Sequence, residues 1–129
     1  MIIAIDFDGT IVDDKFPEIG TLKKGAKEAI NKLYSEGYYI IIWTSRCAEQ
    51  LLDAVVFLAV NDIKFNAVNK NCPINMAKYG GNPRKVYADV YIDDNGLYDL
   101  PVWDDIYKQI IAIPRPRTYA DKVINEGYL

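Results

Sequence analysis

Two stretches of this chain are apolar at every position and rich in β-formers: Met1-Ile2-Ile3-Ala4-Ile5 and Tyr38-Tyr39-Ile40-Ile41-Ile42-Trp43. A strand with one wet face alternates apolar and polar residues. A strand apolar throughout is buried on both faces, which is the habit of central strands in parallel sheets. Parallel neighbours need crossover connections, usually helical, and the intervening sequence supplies them. Residues 21–36 read as a helix, with Thr21 as N-cap, Leu22, Ala26, Ala29, Ile30 and Leu33 on the apolar face and Gly37 as the stop. Residues 47–60 read as a second helix, a short strand falls near 65–68, and 74–79 form a helical turn. Val86–Ile92 reads as another strand, Trp103–Ile106 begins a short helix, and Gln109–Ile113 reads as a last strand. The expected fold is α/β: a three-layer, doubly wound parallel sheet of Rossmann-like type.

The 129 residues suit one domain, 1–129, with a short flap at 11–20 and a C-terminal extension at 114–129 that begins with Pro-Arg-Pro-Arg. Half the residues are hydrophobic and 26% are charged, the balance of an ordinary globular protein. A net charge of −3 argues against nucleic-acid polymers or anionic membranes as partners. The apolar start is five residues long without a basic flank, unlike a secretory leader, and no run approaches the roughly 20 residues of a membrane span. Two cysteines, Cys47 and Cys72, are too few for a disulfide framework and read as reduced thiols, so a cytoplasmic setting is expected. Cys47 reads as a small helix residue rather than a nucleophile. The chain has no histidine, which excludes Ser-His and Cys-His triads and His-ligated metals. Acid-base chemistry falls to carboxylates, lysines or tyrosines.

In open α/β sheets ligands bind beyond the carboxyl ends of the strands, where the strand order reverses. The polar residues gather there. Strand one ends in Asp6-Phe7-Asp8-Gly9-Thr10, strand two in Thr44-Ser45-Arg46, and the strand before residue 93 in Asp93-Asp94. Side chains two apart on an extended chain point the same way, so Asp6 and Asp8 would share a small volume. Their repulsion calls for a cation or a shared proton, and Mg2+ suits a site of few carboxylates. Taken alone, Asp-Gly-Thr could be a surface turn. Matching groups at the other strand ends tell against that.

With these residues in place, the chain resembles the haloacid dehalogenase-like superfamily of phosphotransferases. The first motif of that family, Asp-x-Asp-x-Thr after an apolar strand, stands here as Asp6 to Thr10. The second, an apolar strand ending in Thr or Ser, is Ile40 to Thr44, and the fourth, an acidic pair after a strand, is Tyr91 to Asp94. The third is a lysine, for which Lys85 is the first candidate and Lys78 the second. The likeness spans roughly residues 1–113.

The resemblance implies a nucleophile, Asp6, that takes the phosphoryl group as an aspartyl-phosphate. It implies that Asp8 protonates the leaving oxygen and later activates water. Mg2+ would be held by Asp6, the main-chain carbonyl of Asp8, and Asp94, with Asp93 standing behind Asp94. Thr44 and Lys85 would bind phosphate oxygens. Around them, Ser45, Arg46 and Asn69 are candidates for substrate binding. Arg46 could equally cap local backbone, and Asn66, Asn69 and Asn71 are also ordinary loop residues. Tyr87, Tyr91 and Tyr98 read as packing.

Family members often carry a cap domain over the pocket. Here 11–20 and 65–85 leave room for a flap and a helical turn, so the chain reads as capless. Either a large substrate covers the site, or the flap and a neighbouring subunit in a homo-oligomer do. The expected activity is Mg2+-dependent hydrolysis of a phosphorylated small molecule, with a nucleotide as one candidate. The rival readings are a receiver-like, phosphate-accepting signalling domain and an inactive phosphate-binding module. Receivers place their acid pair side by side on strand one and their acceptor on strand three. This chain instead has Asp-x-Asp on strand one and Val68-Asn69 near the third.

Overall fold

The computed structural model describes residues 1–115, so all of the C-terminal extension beyond Arg115 lies outside the described residues. Eight elements follow one another: β1 (Ile2–Ile5), α1 (Ala26–Ser35), β2 (Tyr39–Ile42), α2 (Ala48–Val60), β3 (Ala67–Val68), α3 (Pro73–Tyr79), β4 (Val90–Ile92) and α4 (Trp103–Ile111). The four strands form one parallel sheet in the order β3-β2-β1-β4. The chain winds outward from β1 through β2 to β3, then returns to the other side of β1 for β4. The order therefore reverses between β1 and β4. Ile5 pairs with Ile42 on one side and Ile92 on the other, so the three strands that carry the polar clusters end at the same level.

Alternation divides each strand between two cores. Ile3, Ile5, Ile40, Ile42 and Ile92 face a large cluster with Ala26, Ile30 and Leu33 of α1, Ala54 and Leu58 of α2, and Trp103, Ile106 and Ile110 of α4. Ile2, Ala4 and Ile41 face a smaller one completed by Cys72, Val86, Ala88 and, from α3, Ile74. Three helices thus cover one face, and α3 with the chain leading into β4 covers the other. This is the expected α/β layering.

Three boundaries differ from expectation. Thr21 does not cap α1, which starts at Ala26 behind a left-handed Gly25 (φ 81°). Residues 21–23 instead pair with the flap: the Asp13 amide donates to the Thr21 carbonyl, and the Lys23 amide to that of Ile11. The strand expected over 86–92 is regular only from Val90, because the Tyr91 hydroxyl donates to the Val86 carbonyl and accepts from the Ala88 amide, holding that stretch as a turn. The strand expected at 109–113 is the end of α4. There Trp103, Ile106 and Ile110 recur at helical spacing and are buried against α1, and that packing overrides the local β-propensity of the isoleucines.

Candidate active site

The residue after Ile5 still belongs to the sheet, since the Asp6 amide donates to the Ile92 carbonyl at 2.9 Å. The chain then folds into a tight turn in which the amides of Thr10 and Ile11 both reach the Phe7 carbonyl. Gly9 sits in this turn at φ 81°, a conformation that disfavours a side chain. A second constraint is stronger: a Cβ on Gly9 would lie 2.2 Å from Oδ2 of Asp94. Glycine is there so that the acidic end of β4 can close on the turn.

Thr10 ties that closure together. It is wholly buried, and its hydroxyl lies 3.0 Å from Asp6 Oδ2 and 3.2 Å from Asp94 Oδ1, donating its one proton between them. The same oxygen accepts the Asp94 amide at 3.1 Å. Its carbonyl accepts the indole N–H of Trp103 at 2.9 Å, which fixes the turn to α4. Sequence reasoning gave Thr10 and Trp103 no part in the site. The threonine of the Asp-x-Asp-x-Thr motif was the available signal, whereas nothing local marks Trp103.

Asp6, Asp93 and Asp94 each bring a carboxylate oxygen within 4.8 Å of the others, an oxygen-rich cluster that could hold a divalent cation. Asp6 shows what their crowding costs. Burial, then a hydrogen bond that protonated Asp6 donates to Asp94 and the charge of Asp93, raise its carboxyl from 3.8 to about 7, against a lowering contribution from Thr10. Without a cation Asp6 is about half protonated at neutral pH. A cleft of about 740 Å³ borders Gly9 and Asp94 and is walled by Lys23, Lys24, Asp99 and Trp103.

Asp8 does not join the acidic cluster. Its two oxygens each accept a 2.7 Å hydrogen bond from Arg46, one from Nε and one from Nη2, in a two-pronged pair. The remaining guanidinium N–H groups go to the main-chain carbonyls of Pro17 (3.1 Å), Glu18 (2.9 Å) and Gln50 (3.2 Å). All five donors are taken. Burial works against the charge of Arg46, but the Asp8 hydrogen bonds outweigh it and raise its pKa. Of the two readings open for Arg46, capping of backbone describes part of what it does, and no donor is left over for a substrate phosphate.

Thr44 is buried at the end of β2, and its hydroxyl oxygen accepts the Arg46 amide at 3.1 Å, leaving the hydroxyl proton to donate elsewhere. Asn69, just past the end of β3, clamps Thr44: its carboxamide accepts the Thr44 amide and donates to the Thr44 carbonyl, both at 2.9 Å. Asn69 is therefore engaged with backbone rather than turned to a ligand. Asn66 likewise accepts the Ile40 amide, and Asn71 fastens the 82–87 loop through Asn82, Pro83 and Tyr87. Ser45 is exposed. Lys85 lies with its ammonium 5.2 Å from the Tyr91 ring centroid and makes no hydrogen bond or ion pair to Asp6. Cys47 is an exposed residue at the start of α2. The packing expected of Tyr87, Tyr91 and Tyr98 is not found, since they are 37%, 43% and 83% exposed, although the Tyr91 hydroxyl donates to the Val86 carbonyl. Among the described residues no helix is long and apolar enough to cross a membrane.

Residues 3–71 match a family described as haloacid dehalogenase-like hydrolase. Among solved structures, the chain is similar to a conserved protein from Bacteroides thetaiotaomicron, with 37% identity and a TM-score of 0.78 over 86% of this chain and 89% of that one. No curated protein matches.

Proposed function

The chain belongs to the haloacid dehalogenase-like hydrolases, and within that family we propose that it is a Mg2+-dependent phosphomonoesterase working through an aspartyl-phosphate on Asp6. One observation carries the reading: the two acids of a single strand end are given opposite surroundings. Asp6 stands among carboxylates at the switch point of the sheet, and Asp8 stands in the grip of a buried guanidinium. A cation bound among Asp6, Asp93 and Asp94 would take the place of the proton and leave Asp6 ionised for attack, while the Asp8 carboxylate stands apart from that cluster for proton transfer.

Asp6, Asp94 and the main-chain carbonyl of Asp8 would hold the cation, with Asp93 behind them. The raised carboxyl of Asp6 fits this, since a proton occupies the place that a positive ion would take. When bound, the ion would neutralise charge on the carboxylate and on the phosphate, letting the two anions approach.

The chain's own residues then divide the work. An Asp6 oxygen attacks phosphorus, forming the O–P bond as the bond to the leaving oxygen breaks. Asp8, whose two oxygens accept from Arg46, takes up a proton as substrate binds and passes it to this oxygen. Water attacks the phosphoryl group in the second step, giving its proton to Asp8 and freeing Asp6 and inorganic phosphate. The Thr44 hydroxyl donates to a non-bridging oxygen, held in place by the Asn69 clamp. Lys85, the lysine that the family resemblance assigns to the phosphate, has to leave the Tyr91 ring to reach it. Positioning and charge stabilisation of this kind make up most of phosphoryl-transfer catalysis.

The substrate proposed is a small phosphorylated metabolite, a nucleotide among them. A release assay over nucleotides, sugar phosphates and phosphopeptides, with and without Mg2+, tests this. The expected result is Mg2+-dependent phosphate release from small monoesters, with a beryllofluoride adduct on Asp6. An adduct on another residue, or release that ignores chelator, would overturn the reading.

A further inference from the structure

Arg46 is one of the few charged residues buried in the described chain, with its side chain 1% exposed and that of Asp8 16%. Its five donors reach three separate elements: the Asp8 carboxylate at the end of β1, the Gln50 carbonyl in α2, and two carbonyls of the flap, Pro17 and Glu18. Two rings flank its Cζ, Phe7 of the catalytic turn at 5.3 Å and Phe16 of the flap at 5.1 Å. Phe16 is otherwise 57% exposed, and the flap residues around it make few hydrogen bonds of their own. The guanidinium is thus the main fastening of the 14–18 stretch to the body of the protein.

From this geometry we propose that Arg46 is a positioning residue that makes the seating of the flap and the orientation of Asp8 a single event. With the flap seated, the Pro17 and Glu18 carbonyls hold the guanidinium plane, and its fork fixes the plane of the Asp8 carboxylate. With the flap lifted, Arg46 loses two of its five acceptors and a ring contact, and Asp8 loses its fixed aim. In a chain without a cap domain, ten residues of flap then do what a lid does elsewhere, completing the catalytic constellation only when in place. The role given to Asp8 rests on the phosphatase reading; the coupling of Asp8 to the flap does not.

Two measurements test this together. The first is p-nitrophenyl phosphate hydrolysis with Mg2+ by Arg46→Lys, Phe16→Ala, Asp8→Asn and the Asp8→Asn/Arg46→Lys double variant. The second is the rate of tryptic cleavage after the exposed Lys15, read by mass spectrometry. Arg46→Lys keeps the charge but not the fork, and kcat is expected to fall about 10–100-fold with little change in KM, the scale of a misplaced catalytic group. The double variant should be no slower than Asp8→Asn, because Arg46 acts through Asp8.

Phe16→Ala removes an exposed ring that stacks on Arg46 and makes no hydrogen bond to Asp8, so a lowered kcat with unchanged KM there ties the flap to the chemistry. Cleavage after Lys15 should speed up in Arg46→Lys, and also in Asp8→Asn, since coupling runs both ways. Unchanged kcat in Arg46→Lys, a double variant slower by the full Arg46→Lys factor, or unaltered cleavage in both Arg46→Lys and Asp8→Asn would overturn the inference. If the wild type releases no phosphate, the phosphatase reading fails, and cleavage alone then upholds or overturns the coupling.

Discussion

Replacing Asp6 by Asn should stabilise the metal-free protein at neutral pH even as it removes the nucleophile. The Asp6 carboxyl is raised from 3.8 to about 7, chiefly by burial and then by Asp94 and Asp93. Below pH 3.8 Asp6 carries its proton in the folded and unfolded chain alike, and it costs nothing. As pH rises from there toward 7, the unfolded chain ionises first while the folded cluster holds its proton, so stability falls. Above 7 the loss is complete. At about 1.4 kcal/mol per pH unit the gap from 3.8 to about 7 sets a ceiling of about 4 kcal/mol. Solvent reaches the cluster and screens it, which brings the expected cost to about 2 kcal/mol.

Asn avoids this loss, since its oxygen can still accept from Thr10 and its NH2 group can donate to Asp94. At roughly 4 °C per kcal/mol for a chain of this size, Asp6→Asn should melt about 8 °C above wild type at pH 8 in chelator. The difference should close at pH 4, and Mg2+ should narrow it by favouring the wild-type cluster. Thermal melts of both proteins across pH 4 to 8 measure it. A difference that does not change with pH, or an Asn variant less stable at pH 8, would refute the reasoning.

Four further outcomes can be checked directly. Chelator should abolish phosphate release while circular dichroism stays unchanged, because both cores are built without the ion; unfolding on chelation would contradict this. Asp8→Asn should slow turnover about 10²–10⁴-fold, the usual contribution of an acid-base group, and with p-nitrophenyl phosphate should show a burst followed by a trapped phosphoenzyme. Gly9→Ala should lower stability and weaken Mg2+ binding seen by calorimetry, because its Cβ would meet Asp94 at 2.2 Å; normal binding in a folded variant would show that the turn yields more easily than its geometry suggests. Asn69→Ala leaves the Thr44 amide and carbonyl without their partner and should cost about 1–3 kcal/mol in denaturant unfolding, with a raised KM from a loosened Thr44.

The sequence by itself determined the parallel sheet and the strand ends at which its chemistry would gather. Both are local properties: apolar runs such as Ile40–Ile42 report a strand buried on two faces, and Asp6, Thr44 and Asp94 stand within two residues of a strand's last residue. Strand register then brings those ends to one level with no further information needed. The tertiary structure decided how the polar groups choose partners, because a buried donor or acceptor is satisfied by whatever lies within 3 Å, however distant in sequence. Asp8 and Asp6 share a side of the strand by spacing, yet Asp8 turns to Arg46, thirty-eight residues away, and Thr10 receives the Trp103 indole from ninety-three away. Asn69 looked free for a ligand and is taken by Thr44. The isoleucines at 110 and 111 favour a strand in isolation, but the face of α1 that they meet is a helix-packing surface, and that neighbour, rather than their own propensity, set the end of α4.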